Sequence, residues 1–484
     1  MKKSRKILIS LLVGGMAGSG IMGFMACSNS VPNSPDSSNE QEAQVTQNLE
    51  YEKIEGKDEY RLVGLGTASD LDISIPKTHK GLPVTEIAEQ AFRSEEGKEV
   101  YITSVVIPDS VMSIGEAAFY NCTSLKSVVI GDGVTTIGEC AFYGCANLTN
   151  IEIGNGVTWV GDSAFEACNL TYNTEGDLKY LGNSTNAYVY LAGTSSSDIR
   201  QATIHEDCKI IGESAFYACA RLMIIEIPDG VVSIGKKAFC GCDWLNSIEF
   251  PEGLRSIGYG AFNGCDRLKS LEIPNSVTFI DEAAFSSCFD LSSVVLGNGL
   301  TSISNSMFWS CDNLKSVVIP DSVTSIAYGA FKDCSSLATI EIPNTVISIG
   351  GAAFNGCRTL KNVVIPNAVT LIGDLTFHNC YNLKTVKIGE GVTSIGQDAF
   401  WDCNDLTNII LSNRVTSIGD RAFYGCESIT NIYYEGTAND WTKISIGSYN
   451  SDLTNATLYC YSENKPVEEG NYWHYVNGEP AIWA

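Results

Sequence analysis

The amino-acid sequence predicts a repeat solenoid, and three observations carry that prediction. A motif ending in Ala-Phe or a near variant recurs fourteen times, its spacing is fixed, and a cysteine follows thirteen of the copies at one offset. The phenylalanines are Phe92, Phe119, Phe142, Phe165, Phe216, Phe239, Phe262, Phe285, Phe308, Phe331, Phe354, Phe377, Phe400 and Phe423, and from Phe216 onward every step is 23 residues. With a period of that length each repeat is one coil, unable to bury its apolar residues until the next coil stacks on it.

A single coil shows why the period holds. In Leu125 to Asn147, the residues Leu125, Val128 and Ile130 mark a short strand with its aliphatic side chains inward and Lys126, Ser127 and Val129 outward. Gly131-Asp132-Gly133 turns the chain, Val134 and Ile137 supply a second apolar pair, and Ala141, Phe142 and Cys145 close the coil. Seven coils turn instead on Pro108, Pro228, Pro251, Pro274, Pro320, Pro343 or Pro366. Proline suits a strand end, where its fixed φ and missing N–H do no harm. Ten of the thirteen coils from Phe119 to Phe423 place Gly four residues before the Phe. Such a column needs either φ > 0 or close backbone approach.

The unit I-P-x-S-V-T-S-I-G-x-x-A-F-x-x-C-x-x-L, almost intact from Ile319 to Leu337, resembles the BspA-type leucine-rich repeat of bacterial surface proteins, and the likeness covers residues 70 to 435. The chain departs from commoner leucine-rich repeats where turn residues such as Pro320-Asp321-Ser322 replace the Asn expected after the strand. The resemblance implies a leucine-rich-repeat-like solenoid of short parallel β-strands with turns and short helical segments. It also implies adhesion or host interaction, without naming a ligand.

The flanks divide the chain. Residues 2 to 6 carry the basic Lys2, Lys3, Arg5 and Lys6, Ile7 to Ala26 are apolar or small, and Cys27 follows in Phe24-Met25-Ala26-Cys27. This reads as a secretory signal over 1–27, and its end resembles a bacterial lipobox, which implies lipidation of Cys27, a membrane anchor and display on the cell surface. Residues 28–48 read as a flexible tether, 49–90 as an N-terminal cap, 91–432 as the solenoid and 433–484 as a C-terminal cap. The step from Phe165 to Phe216 is 51 residues, so 28 extra residues are inserted at about 170–207, and Leu178–Leu181 and Ala187–Leu191 alternate enough for a β-hairpin docked on the solenoid's side. In the C-terminal cap, Tyr472–Val476 and Ala481–Trp483 flank Asn477-Gly478, a hairpin turn signal.

Composition narrows the function. The net charge of −25 becomes −29 without Lys2, Lys3, Arg5 and Lys6, a field that repels phosphate backbones and excludes nucleic acid as a partner. Thirteen of the eighteen cysteines lie three residues after the repeat Phe, from Cys122 to Cys426. Equivalent side chains in stacked coils run parallel, whereas a disulfide needs converging Cβ atoms, so the column reads as buried free thiols. One Cys per coil makes no tetrahedral metal set. His79, His205, His378 and His474 lie in four separate segments, with no H-E-x-x-H, G-x-S-x-G or phosphate-binding glycine loop. No catalytic residue, cofactor or metal is therefore expected.

What remains is surface, and it reads in columns. The outward position before the last strand aliphatic holds Val106, Val129, Glu152, Thr203, Glu226, Glu249, Glu272, Val295, Val318, Glu341, Val364, Lys387, Ile410 and Tyr433. At ~4.8 Å between coils, Glu226, Glu249 and Glu272 form a row of like charge that disfavours folding slightly; a binding face would account for it, and the alternative is an ordinary solvated sheet with no partner. A second column, after each Phe, holds Tyr120, Tyr143, Tyr217, Trp309, His378, Trp401 and Tyr424. Exposed, it would favour protein or sugar contacts; otherwise each ring packs over its neighbour. The sequence reads as a non-catalytic surface-binding protein for a protein or glycan ligand. The other readings are an accessory subunit or enzyme of a surface polysaccharide-processing system, or a structural envelope protein.

Overall fold

The computed structural model describes residues 45–483; Cys27 and most of the expected tether lie outside that range. The last residues of the tether segment are fixed to the cap, since the N–H of buried Thr46 donates to Ser74 O at 2.9 Å and its Oγ1 accepts from Ser74 N–H at 2.9 Å.

The coils stack as a parallel β-solenoid with two strand ladders. The first runs through segments such as Ser104–Ile107 and Ser127–Ile130, paired one to one from Ser104↔Ser127 to Ile107↔Ile130. The second is built from two-residue strands such as Ser113–Ile114 and Thr136–Ile137. Both registers match one repeat to the next, because a one-residue slip would turn the inward aliphatics out. Between strands the chain turns on the predicted residues: Val231 N–H donates to Pro228 O at 3.1 Å and Val134 to Gly131 at 3.2 Å.

The third wall, around the repeat Phe, is neither strand nor helix. The residues two before and two after Phe142, Cys140 and Gly144, have φ of 52° and 71°. The same two positions are left-handed around almost every repeat Phe and are filled by residues as unsuited as Lys237, Leu375 and Arg421. Each would cost about 1–2 kcal/mol if unsupported. Support comes from alternate N–H groups that point along the axis: Ala117, Phe119 and Asn121 donate to Glu139, Ala141 and Tyr143 of the next coil at 2.7–2.8 Å. The short helical segments expected in the coils are thus replaced by turns. Two four-residue helices, Ala438–Trp441 and Ser451–Thr454, occur in the C-terminal region.

Of the two explanations for the glycine column, close approach is the correct one. A Cβ on Gly115 would lie 2.5 Å from Glu89 N, and one on Gly258 2.7 Å from Lys236 N. Of the three exceptions, Asp281, Ser304 and Ala327, only the coil of Ser304 loses its second-ladder pairing to the preceding coil. Repeat Phe rings stack with centroids 5.0 Å apart at Phe239–Phe262, but 5.8 Å apart at Phe285–Phe308, where Ser304 replaces Gly. There the second ladder breaks between Phe279–Ile280 and Ser302–Ile303, and the Ser304 hydroxyl donates to Ile280 O, the carbonyl that the Gly amide reaches in other coils.

The core is a set of columns along the axis. Phe331, Cys334, Leu337, Val323 and Ile326 are all essentially inaccessible, as are their counterparts in neighbouring coils. The thiols have a polar task as well as an apolar one. Every cysteine of the column except Cys219 directs its Sγ at the carbonyl of the Phe in the preceding coil, as in Cys311 to Phe285 O at 3.2 Å and Cys334 to Phe308 O at 3.1 Å. Burial pushes the thiols of Cys265, Cys288, Cys311, Cys334 and Cys357 far up from their ordinary range.

The insertion lies in line with the stack. Asn173–Glu175, Leu178–Leu181 and Tyr190–Thr194 form an antiparallel trio, and the last of them pairs in parallel with Ile210–Ile211 of the second ladder. The expected hairpin is therefore part of the ladder and not a lateral addition. Tyr190 explains the difference: it is buried and sets its ring edge-on to Phe165, 5.6 Å between centroids, filling the Phe column.

At the N-terminal end, Glu50–Lys53 pairs antiparallel with Tyr60–Gly64, which runs parallel to Leu82–Ile87. At the other end, Thr457–Tyr461 and Tyr472–Val476 extend the first ladder, and Glu479–Ile482 closes it antiparallel across Asn477-Gly478, both with positive φ. The last coil's donors are met by oxygens of the cap: Arg421 N–H by Ser448 O, Phe423 N–H by Asn450 Oδ1 and Gly425 N–H by Asp452 Oδ2.

Candidate binding face

The first ladder positions the outward column, and its middle is open to solvent. Glu226, Glu249, Glu272, Val295, Val318, Glu341 and Val364 are all exposed, with Val318 and Val364 at 57% and 59%. The row is not the uniform ladder that the period predicts. Ser247–Glu249 forms no strand, so Glu249 sits in a coil with no ladder pairing to Ile224–Glu226 or Ser270–Glu272; the coil of Glu341 is likewise unpaired. The coil of Glu249 carries Phe250 at the inward position that Ile occupies in most coils, and Phe250 remains partly exposed. Open backbone groups therefore accompany the carboxylates on this face.

Two depressions adjoin the glutamates. One, of about 790 Å³, is walled by Glu175, Thr203, His205 and Glu226, and Thr203 Oγ1 donates to Glu226 Oε2 at 3.0 Å. The other, of about 330 Å³, is walled by Glu249, Phe250, Glu272 and Val295. Sequence reasoning found the glutamates but missed Glu175, because it belongs to the insertion and reaches the face only through the fold.

The C-terminal end of the outward column differs from expectation, while Val106 at the other end is exposed. Ile410 and Tyr433 are buried, because Trp473 of the C-terminal hairpin packs on them with its ring 5.5 Å from that of Tyr433 and its Nε1 donating to Tyr434 O at 3.0 Å. The free face ends near Lys387, whose ammonium lies 5.2 Å from the Tyr475 ring.

The aromatic column combines both of its readings. Tyr120 and Tyr143 stack at 5.1 Å, and His378, Trp401 and Tyr424 form a tilted series at 5.6 and 5.0 Å, so the rings do pack over their neighbours. Tyr424 and Trp309 nonetheless stay more than two-fifths exposed. Arg421 stands over Trp401 at 5.2 Å and is held by Asp398, Nε to Oδ1 at 2.8 Å, which keeps the Asp398 carboxyl below its ordinary pKa despite burial.

The histidines are committed to aromatic packing: His79 on Tyr51, His205 on Tyr188, His378 beside Trp401 and His474 on Trp483. Among the described residues, no group of three or more His, Cys, Asp or Glu is arranged to hold a metal ion.

Fold and sequence together define a leucine-rich-repeat protein with an open strand face. Residues 85–219, 209–338 and 325–451 each match the family described as the BspA type leucine rich repeat region, and the chain belongs to that family. A leucine-rich repeat protein from Bacteroides ovatus is 26% identical over 87% of this chain and 94% of that one, with a TM-score of 0.40. A leucine-rich cell surface protein from Faecalibacterium prausnitzii is 28% identical over 83% of this chain and 97% of that one, with a TM-score of 0.34. A leucine-rich repeat protein from Treponema pallidum is 21% identical over 65% and 88%, with a TM-score of 0.24. A search of curated proteins found no match.

Proposed function

We propose that this protein is exported, displayed on a bacterial cell surface through a lipid on Cys27, and works without catalysis by binding a protein or glycan ligand on its strand face. The observation that carries the reading is the exposed middle of the outward column, where three glutamates border two depressions and continue into bare valines. Like charges gathered on one face repel, and exposed valines do nothing for solubility. A partner with basic groups opposite the glutamates and apolar groups opposite Val295, Val318 and Val364 would reward both.

A binding screen of the chain from residue 28 onward against matrix proteins and glycan arrays tests this reading. Replacing Glu226, Glu249 and Glu272 together by Ala is expected to weaken any ligand found, more so at low salt than high, since exposed charges act over about 8 Å at physiological ionic strength. Thermal stability should stay level or rise slightly. The aromatic column supports a second reading because Tyr424 and Trp309 remain accessible. If that column is the site, Trp401→Ala with Tyr424→Ala abolishes binding with little salt dependence, and the glutamate variant leaves it intact.

The basic, then apolar, then Cys27 order of the N-terminus supports the anchor. Cys27→Ala is expected to move the protein from the membrane fraction to the medium, and an intact mass without an acyl group on the wild type would refute lipidation.

A further inference from the structure

The insertion leaves the third wall incomplete at one place. In every other coil the amides of the repeat Phe and, from Phe119 on, of the residue two after it donate to the following coil or to the C-terminal cap. After Phe165 the chain enters the insertion, which builds strands but no such wall. Ser163 N–H finds a substitute acceptor in the Glu213 carboxylate, Oε2 at 2.5 Å. Among the described residues, Phe165 N–H and Ala167 N–H find none. On the facing side, Ala215 O and Tyr217 O receive no donor, although Ala141 O and Tyr143 O in the equivalent positions do. The gap is open: Ala167 is exposed, and Phe165 is only partly buried while the repeat Phe residues on either side are sealed. A cavity of about 290 Å³ lies there, bordered by Phe165, Glu166, Tyr172, Tyr190 and Glu213.

We propose that this gap is a docking slot for an extended, basic peptide segment of a partner protein, whose main-chain carbonyls accept from Phe165 and Ala167 in place of the missing wall. An unpaired backbone edge is a template for added chain. The same donors at the last coil are met by Asn450 and Asp452, so the fold supplies acceptors where nothing else will. Charge selects the occupant. Glu166 and Glu213 line the slot, with Asp162 and Glu139 behind them around Lys236, which pairs with Asp162 at 3.1 Å and lies 4.0 Å from Glu213. Lys179 is turned to the Tyr172 ring, 6.0 Å away. The chain's own residues 28–44 contain Asp36, Glu40 and Glu42 and no Lys or Arg, so they are repelled. This slot lies on a different wall from the strand face and does not depend on that reading.

The test uses the full-length protein in detergent with an octapeptide of alternating Lys and Thr, and its Glu-Thr counterpart, followed by hydrogen–deuterium exchange. In the free protein, fragments containing Phe165 and Ala167 should exchange at least tenfold faster than those containing Phe142 and Gly144. The Lys-Thr peptide should slow the former at least tenfold, and the Glu-Thr peptide should not. Glu166→Lys, at an exposed position, should weaken Lys-Thr binding at least tenfold while leaving the melting curve unchanged. Protection of Phe165 and Ala167 before any peptide is added would overturn the slot. Binding that leaves their exchange unchanged, and that is lost with the Glu226, Glu249 and Glu272 replacements, would overturn it too and place the peptide on the strand face.

Discussion

Stability should fall steeply above pH 9. The thiols of Cys265, Cys288, Cys311, Cys334 and Cys357 are raised well above their ordinary 9.0 by burial. In the unfolded chain they ionise from about pH 8.5–9, so there the unfolded state binds fewer protons than the folded one. The sign follows: stability is full below that pH and is lost as pH rises toward the folded values, by up to about 1.4 kcal/mol per pH unit for each thiol. The buried phenol of Tyr180, pushed up to about 12, adds to the loss above pH 10. Urea unfolding at pH 7, 8, 9 and 10 should show level midpoints and then a collapse. A variant with Cys265, Cys288 and Cys311 changed to Ala should be less stable at pH 7, having lost the S–H bonds and some packing, yet fall less steeply by about 1.4 kcal/mol per pH unit for each thiol removed. Equal slopes in the two proteins would show that the column does not ionise on unfolding.

Deleting one whole period should be tolerated where half a period is not. Removing Ser286 to Phe308 joins Phe285 to Trp309 and puts Cys311 in the place of Cys288, three residues after Phe285, so each ladder loses one strand and keeps its register. It also removes Ser304 and with it the break in the second ladder, so the shortened protein should stack more regularly. Removing only Ser286 to Leu296 places Gly299 at the Cys288 position, Ser302 at that of Leu291 and Asn305 at that of Val294, and burying polar groups there without partners costs about 1–3 kcal/mol each. Circular dichroism and thermal melting should show a folded protein in the first case and a largely unfolded one in the second. Equal damage in both would contradict nearest-neighbour stacking.

Much of this architecture was legible because it is periodic. The Phe, Cys and Leu columns, both strand positions and the Asn477-Gly478 hairpin each follow from local spacing. The left-handed residues were not legible. Glycine marks close approach at Gly115 and Gly258, while positive φ falls on Lys237, Leu375 and Arg421, which have no intrinsic reason to adopt it and do so because inter-coil hydrogen bonds impose it. The sealing of Ile410 and Tyr433 by Trp473 depends on contact between segments far apart in sequence. The loss of strand at Glu249 leaves no trace in the pattern of its own coil except Phe250. On the candidate face the glutamates could be read from their column, whereas Glu175 and the slot beside Phe165 exist only because the insertion breaks the repeat.

The thiol-to-carbonyl column has a last consequence, for recovery after damage. Folded, its sulfur atoms are protonated and shielded from oxidants, which attack the thiolate. Once the chain opens in an oxidising medium, the same thiols are free to cross-link in many wrong combinations, and few of these permit coils to restack. Unfolding then becomes a one-way event. The lifetime of such a protein is set by how seldom it opens, a kinetic barrier, and not by how well it returns.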